Sequence, residues 1–104
     1  METANPPIKI SHIEFFPKRP ERGHIGFVSW VITVSSHLQF AVSNVAVYTR
    51  LSGDGLRFVY PNKRLPSGLE VASFQPLDRE SAEAVERPVL NYLESLFSNQ
   101  TIKT

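Results

Sequence analysis

The first two-thirds of the chain alternate between apolar and polar positions, which is the pattern of β-strands. The alternation predicts strands over residues 8–16, 24–35, 38–51, 56–60 and 69–74. It slips near residues 11–12 and 43–44, and each slip predicts a β-bulge. Only residues 36 and 37 separate the second and third strands, so we expect these two strands to form a long antiparallel hairpin.

Prolines and glycines separate these strands. Residues 17–23 hold two prolines and a glycine, and a loop is expected there because proline has no N–H to donate within a strand ladder. Residues 52–55 (SGDG) are the strongest turn signal in the chain, since glycine and aspartate accept the positive φ of a tight turn. A further loop is expected over residues 62–68.

The last third of the chain has the 3.6-residue period of an amphipathic helix. Asp78 fits the N-cap position. The apolar residues expected to pack against the sheet are Val85, Val89, Tyr92, Leu93 and Leu96, with Phe97 continuing the same helical face. Pro88 lies within the helix and is expected to kink it or split it in two, because it removes one backbone hydrogen bond at a cost of about 3 kcal/mol.

These elements predict an α+β fold, in which about five antiparallel strands form a sheet and the C-terminal helix packs on one face. A chain of 104 residues has room for one domain. We place it at residues 8–98, between a flexible N-terminal arm (1–7) and a C-terminal tail (99–104). Segment 24–35 is apolar on both faces, and the helix covers only one. A homodimer is therefore expected, because a two-fold partner commonly covers such a surface.

Composition narrows the class of protein further. The sequence has no cysteine, which excludes disulfide bonds, thiolate zinc sites and a cysteine nucleophile. It shows neither the regions of a secretory signal nor the roughly 18–20 consecutive apolar residues of a membrane span. We therefore expect a cytoplasmic protein with no membrane attachment.

Residue patterns typical of catalysis are missing from the sequence. His12, His24 and His37 lack the spacing of a metal site, and there is no nucleophile elbow or phosphate-binding glycine loop. The helix carboxylates are expected to form a solvated polar face; they are Glu80, Glu83, Glu86 and Glu94. Accordingly, we expect no enzymatic activity, no cofactor, no metal ion and no small-molecule substrate.

The formal charge of +1 conceals an uneven distribution of charge. Segment 50–64 contains a single acid, and its cations are Arg50, Arg57, Lys63 and Arg64. The helix, by contrast, is strongly acidic. Basic residues beside the strand aromatics Phe58 and Tyr60 could bind phosphates and stack on bases. Scattered surface cations also maintain solubility, so composition leaves both interpretations open.

Residues 55–68 (GLRFVYPNKRLPSG) and 74–77 (FQPL) resemble the signature of the SpoVG family, the bacterial septation regulators related to stage V sporulation protein G. That signature has a glycine, an apolar strand, a proline, a Lys-Arg pair in a short loop that ends in glycine, and a later turn into a helix. A looser similarity extends over residues 8–96. The resemblance implies a small dimeric protein that binds DNA or RNA to regulate gene expression, with Lys63 and Arg64 contacting the nucleic acid.

This chain departs from the family pattern at Leu65, at residues 69–72 and at Pro88. Segment 17–23 adds three cations that would extend the basic surface: Lys18, Arg19 and Arg22. The main hypothesis is a nucleic-acid-binding regulator that contacts phosphates through the basic Pro-x-Lys-Arg loop. The alternative is a protein-interaction module with no nucleic-acid activity.

Overall fold

A computed structural model of the chain describes residues 8–51, 55–72 and 74–102, with side chains described as far as Ser98. Within these residues it contains a four-stranded antiparallel sheet, a two-stranded sheet and one helix. The elements are β1 (Lys9–Glu21), β2 (His24–Ser35), β3 (Leu38–Thr49), β4 (Leu56–Val59), β5 (Asn62–Arg64), β6 (Glu70–Ala72) and α1 (Arg79–Ile102). The α+β class is confirmed. The strand count differs slightly from about five, because four strands form the main sheet and two form a second one.

The main sheet is a meander in the order β1-β2-β3-β4, so that every ladder joins consecutive strands. Its centre is the hairpin of β2 and β3, as the sequence predicted. Both expected bulges are present. The β1–β2 register shifts after Ser11, where His12 has a φ of 53°. The β2–β3 register shifts between the Val28 and Trp30 pairings, where Asn44 has a φ of 60°.

The expected loop over residues 17–23 is wrong. Strand β1 continues as far as Glu21, with Pro17 opposite Gly26 and Glu21 opposite His24. Proline is tolerated here because β1 is an edge strand, whose outer side makes no ladder hydrogen bonds, and a register shift between Pro17 and Glu21 accommodates the extra residues. A Cβ added to Gly26 would lie 2.6 Å from the carbonyl oxygen of Phe16, so glycine permits this close strand approach.

The second sheet takes up the first three residues of another expected loop, over residues 62–68. Residues 62–64 form β5 and pair with β6, which leaves a short turn closed by a 2.8 Å hydrogen bond from the backbone N–H of Leu65 to the carbonyl of Leu69. Strand β6 occupies only part of the segment expected to be a strand over residues 69–74. The turn expected at 52–55 lies largely outside the described residues, as does the N-terminal arm.

Helix α1 begins where the sequence predicted. The backbone N–H of Ser81 donates to Oδ1 of Asp78 at 2.8 Å, which confirms the N-cap. The helix is continuous through Pro88 and extends to Ile102, so it is not split and includes residues that were expected to form a tail. Pro88 is exposed while Val85 and Val89 beside it face the core, so packing on both sides of the proline holds the helix together.

One face of the main sheet packs against α1 and is hereafter the covered face. Its buried core consists of Val28, Trp30, Ile32, Val42, Val45, Val47 and Leu56 from the sheet, with Val89 and Leu93 from the helix. Phe97 adds an edge-to-face contact with Phe15, at 5.2 Å between ring centroids. Tyr92 remains 43% exposed, so its expected packing is wrong. Leu90 packs against the core in its place. Leu90 lies three residues before the buried Leu93 and therefore on the same helical face.

The other face of the main sheet, hereafter the open face, has no cover within the described residues. It carries the β2 residues that alternate with the buried ones, including Phe27 and Val31, and both are only half-buried. The second apolar face expected for β2 is therefore only partly apolar, because Ile25 packs against the core instead and Ser29 and Thr33 lie on the open face. Helix α1, the helix of the described region, is not long and apolar enough to cross a membrane.

Candidate nucleic-acid interface

The cations singled out from the sequence lie at three places in the fold. The first is the end of the main sheet where β1 turns into β2. The backbone N–H of Thr49 donates to the carbonyl of Gly23 at 2.8 Å, which joins this turn to the end of β3. Arg22 and Arg50 are therefore neighbours in space at this end, and both are exposed.

Arg57 lies near the same end, on the open face of β4. It is opposite Tyr48, and its guanidinium carbon is 4.7 Å from the centroid of the Tyr48 ring. The other side of that ring stacks on His24 at 4.6 Å between centroids. A guanidinium above an aromatic ring makes a favourable cation–π contact. This contact holds the Arg57 side chain against the sheet. The sequence did not reveal this stack, because it depends on the register of three strands.

Lys63 and Arg64 occupy the second place, in β5 rather than in a loop. Lys63 is opposite Val71 and Arg64 is opposite Glu70. Because successive side chains of a strand point to opposite faces, the two cations do not project together as a loop would have allowed. Arg64 Nη2 donates to Glu70 Oε2 at 3.0 Å, an exposed ion pair of small energetic value. No described carboxylate pairs with Lys63.

Strand β5, which carries Lys63 and Arg64, is connected to α1 through Tyr60. The Tyr60 hydroxyl donates to Glu86 Oε2 at 2.5 Å, and its ring packs beside Phe74 at 5.9 Å between centroids. Burial raises the pKa of the Tyr60 phenol above its ordinary value, and the neighbouring Glu86 carboxylate raises it further. Glu86 thus departs from the solvated face expected for the helix acids. It fixes the chain just before β5.

Lys18 and Arg19 form the third place, in the irregular part of β1. The Lys18 ammonium donates to the carbonyl of Arg19 at 2.9 Å. Since β1 and β4 are opposite edges of the main sheet, Lys18 and Arg19 lie across the sheet from Arg57. The structure therefore does not gather all the candidate cations into one patch. It brings Arg22, Arg50 and Arg57 to one end and leaves the other two pairs apart.

Acidic groups are concentrated on α1, outside the covered face. Glu80, Glu83 and Glu94 are exposed, and Glu83 accepts hydrogen bonds from Arg87 at 3.4 Å. The backbone N–H of Ser81 stabilises the ionised carboxylate of Asp78 and lowers its pKa. Acidic side chains are therefore concentrated on the helix side of the molecule, whereas the candidate cations lie at the strand ends and on β5.

Among the described residues, no group of three or more histidines and carboxylates is placed to hold a metal ion. Comparison of the sequence with models of protein families and with curated proteins finds no match. The resemblance of residues 55–68 to the SpoVG signature therefore stays a prediction.

Proposed function

We propose that this chain is a nucleic-acid-binding regulatory protein of the cytoplasm, similar to the SpoVG family, and that it binds the phosphates of DNA or RNA through Lys63 and Arg64. The observation that supports the proposal is the position of these cations. Both are exposed on a short sheet that the Tyr60–Glu86 hydrogen bond fixes to the helix. Charges held in place on a surface attract a phosphate backbone whatever its sequence.

The geometry favours contacts on both sides of the small sheet. Lys63 and Arg64 point to opposite faces of β5, so each would meet a different phosphate. Arg64 can keep its contact with Glu70 while its remaining N–H groups bind a phosphate oxygen, since a guanidinium has five donors. Arg22, Arg50 and Arg57, with Lys18 and Arg19, would supply secondary contacts for a longer nucleic acid.

The test measures affinity as a function of salt for single- and double-stranded DNA and RNA of unrelated sequence. The double variant Lys63→Ala/Arg64→Ala should bind every oligonucleotide more weakly, and each lost phosphate contact should lower the slope of log affinity against log salt by roughly 0.7–0.9. Its matched control is Arg79→Ala/Arg87→Ala, which removes the same charge from the acidic helix and should leave the slope almost unchanged.

An unchanged slope in the Lys63/Arg64 variant would show that β5 is not the site. The cations at Arg22 and Arg50, then at Lys18 and Arg19, would be the next to replace. If none of these replacements weakens binding, or if the parent protein binds no oligonucleotide at low salt, the proposal fails.

The protein-interaction module remains the second candidate, and the open face of the sheet favours it. Exposed apolar surface of this kind marks protein interfaces. The salt dependence of binding distinguishes the two candidate functions. Phosphate binding weakens steeply as ionic strength rises, whereas burial of apolar surface does not depend on counterion release.

A further inference from the structure

Three side chains on the open face form a continuous stack at the end where β1 turns into β2. Arg57, Tyr48 and His24 are paired in register across β4, β3 and β2. The rings of Tyr48 and His24 are 4.6 Å apart and within 13° of parallel, and the Arg57 guanidinium carbon is 4.7 Å from the Tyr48 centroid. These separations match the spacing of neighbouring strands, so each strand contributes one layer of the stack.

The stack is closed at one end and open at the other. Phe27 lies nearly perpendicular to His24, at 4.8 Å between centroids, and this contact fixes the β2 end. Arg57 is the other end, and it is an exposed residue of β4, the last strand of the main sheet. Among the described residues, no carboxylate forms an ion pair with Arg57. Tyr48 occupies one plane of its guanidinium, and within the same residues no second ring covers the opposite plane.

Further arginines surround this open end. The Arg50 side chain runs beside Gly55, just before β4, since a Cβ added to Gly55 would lie 3.5 Å from Arg50 Nε. Arg22 is exposed at the same end of the sheet. The acid of this row is Glu21, which pairs with β2 from the far edge strand β1, roughly 14 Å from β4 across three strand spacings. The open end of the stack is therefore positively charged.

We infer that a base of a single-stranded nucleic acid stacks on the outer plane of the Arg57 guanidinium, while Arg50 and Arg22 bind the adjoining phosphates. The inference rests on the proposed function and names the form of nucleic acid that this end of the sheet recognises. A guanidinium plane stacks on base rings as well as on aromatic side chains. Its N–H groups lie in that plane, so they stay available to a phosphate oxygen or a base edge.

Such a stack favours single strands because a base in a duplex is covered on both sides by its neighbours. An unpaired base turns its ring towards Arg57 at low cost, whereas a paired base must first be unpaired and unstacked. Lys63 and Arg64 make no such distinction, since both forms of nucleic acid carry phosphates. The aromatics that the sequence indicated for stacking, Phe58 and Tyr60, pack against the core instead.

The experiment compares Arg57→Lys with the parent, since lysine keeps the positive charge but has no plane on which a base can stack. Fluorescence anisotropy measures the affinity for a short labelled DNA strand of mixed sequence and for its duplex. The ratio of single-strand to duplex affinity should fall about tenfold in the variant. The slope of log affinity against log salt should stay unchanged, because the charge is retained. The matched control is Arg79→Lys, the same substitution at an exposed helix residue, which should leave the ratio unchanged.

A strand without bases shows whether the base or the phosphate makes the contact. An abasic strand of the same length keeps the sugar-phosphate chain and its charge. The parent should bind it at least about tenfold more weakly than the normal strand, whereas Arg57→Lys should bind the two strands with nearly equal affinity. Such non-additivity is expected only when the base and the Arg57 side chain interact.

Tyr48 is a positioning residue in this arrangement, because its ring holds the guanidinium before a base arrives. Tyr48→Leu removes the ring and should lower the affinity ratio nearly as much as Arg57→Lys does. Tyr48→Phe keeps the ring and should lose much less. Equal losses in the two Tyr48 variants would overturn the role of the stack. Circular dichroism checks that each variant is folded, and should Tyr48→Leu fail to fold, Arg57→Lys decides the question alone.

An unchanged affinity ratio in Arg57→Lys overturns the inference, and so does an abasic strand that the parent binds as tightly as the normal strand. If Lys63→Ala/Arg64→Ala lowers the salt slope while Arg57→Lys leaves the ratio unchanged, the proposed function stands and this inference fails. The reverse pattern keeps the stack and removes β5 as the phosphate site. A parent protein that binds no oligonucleotide at low salt overturns both.

Discussion

The covered and open faces of the main sheet are built from the same alternating strand, yet their environments differ. Val28 is completely buried beneath the helix, whereas Phe27, its neighbour in β2, is half-buried on the other side. Both residues are apolar, so hydrophobicity alone does not decide which face the chain covers. The difference comes from α1, which packs its apolar side against one face of the sheet and leaves the other face uncovered. The covered face should therefore determine stability, and the open face should determine assembly.

The largest expected effect is the loss of packing on the covered face. Leu93 is fully buried between helix and sheet, and Leu93→Ala should lower the free energy of unfolding by about 2–5 kcal/mol, through lost apolar contact and the cavity left behind. Urea denaturation at one protein concentration measures the change. The neighbouring exposed variant Glu94→Ala should differ little from the parent, and equal effects of the two variants would contradict the placement of α1.

A smaller loss is expected from the hydrogen bond between Tyr60, the residue after β4, and Glu86 of the helix. Tyr60→Phe removes the donor to Glu86 and should cost about 1–2 kcal/mol at neutral pH. The pKa of Tyr60 in the folded protein lies above its value of 10.0 in the unfolded chain. As the pH rises above 10, the unfolded chain loses this proton while the folded protein keeps it, so stability should fall.

Denaturation at neutral pH and above pH 10 measures both effects of Tyr60→Phe, and the variant should lose less stability than the parent in the alkaline range. The control is Tyr92→Phe, which alters an exposed tyrosine of the same helix. Identical alkaline destabilisation of parent and Tyr60→Phe would contradict the assignment.

The dependence of stability on protein concentration distinguishes the roles of the two faces. If the open face is a dimer interface, each tenfold increase in concentration should stabilise the folded dimer by about 1.4 kcal/mol per mole of dimer. Phe27→Ala should weaken this dependence, since it removes an aromatic ring from the open face. Leu93→Ala should retain it and be less stable at every concentration. A midpoint of unfolding that does not vary with concentration in the parent would contradict the distinction between the faces.

The smallest effect is expected at the start of α1. Asp78→Ala removes the N-cap acceptor for the N–H of Ser81 and should destabilise the protein less than Tyr60→Phe does. Because the pKa of Asp78 is lowered in the folded protein, its contribution is present above the unfolded value of 3.8 and is lost as the pH falls below it. Asp78→Asn should keep the cap and lose this acid dependence, which acid titration of unfolding would show.

The features predictable from sequence were those set by neighbours along the chain. The β2–β3 hairpin, its bulge beside Asn44 and the cap at Asp78 each follow from a few consecutive residues, and the structure confirms them. The loop expected at Pro17 was wrong, because proline excludes a residue from a central strand but not from the outer side of an edge strand. Whether a strand lies at the edge depends on the arrangement of the whole sheet, and it cannot be deduced from the sequence of that strand alone.

The site could be predicted as a set of residue types but not as a geometry. Lys63 and Arg64 were identified from the basic charge of segment 50–64 and from its resemblance to the SpoVG signature, yet pairing with β6 over three residues turned their side chains to opposite faces. The stack of Arg57 on Tyr48 depends on strand register. The bond from Tyr60 to Glu86 joins residues 26 positions apart, a separation at which no periodic pattern in the sequence gives a signal.

The meander order of the main sheet has a consequence for how the chain folds during synthesis. All four strands are translated before α1, and each can pair with the strand made just before it, so no long loop must close first. The sheet can therefore assemble while the helix is still within the ribosome. Until α1 docks, Trp30 and its buried neighbours are exposed to solvent, and this interval is when the nascent protein is most open to aggregation and to chaperones.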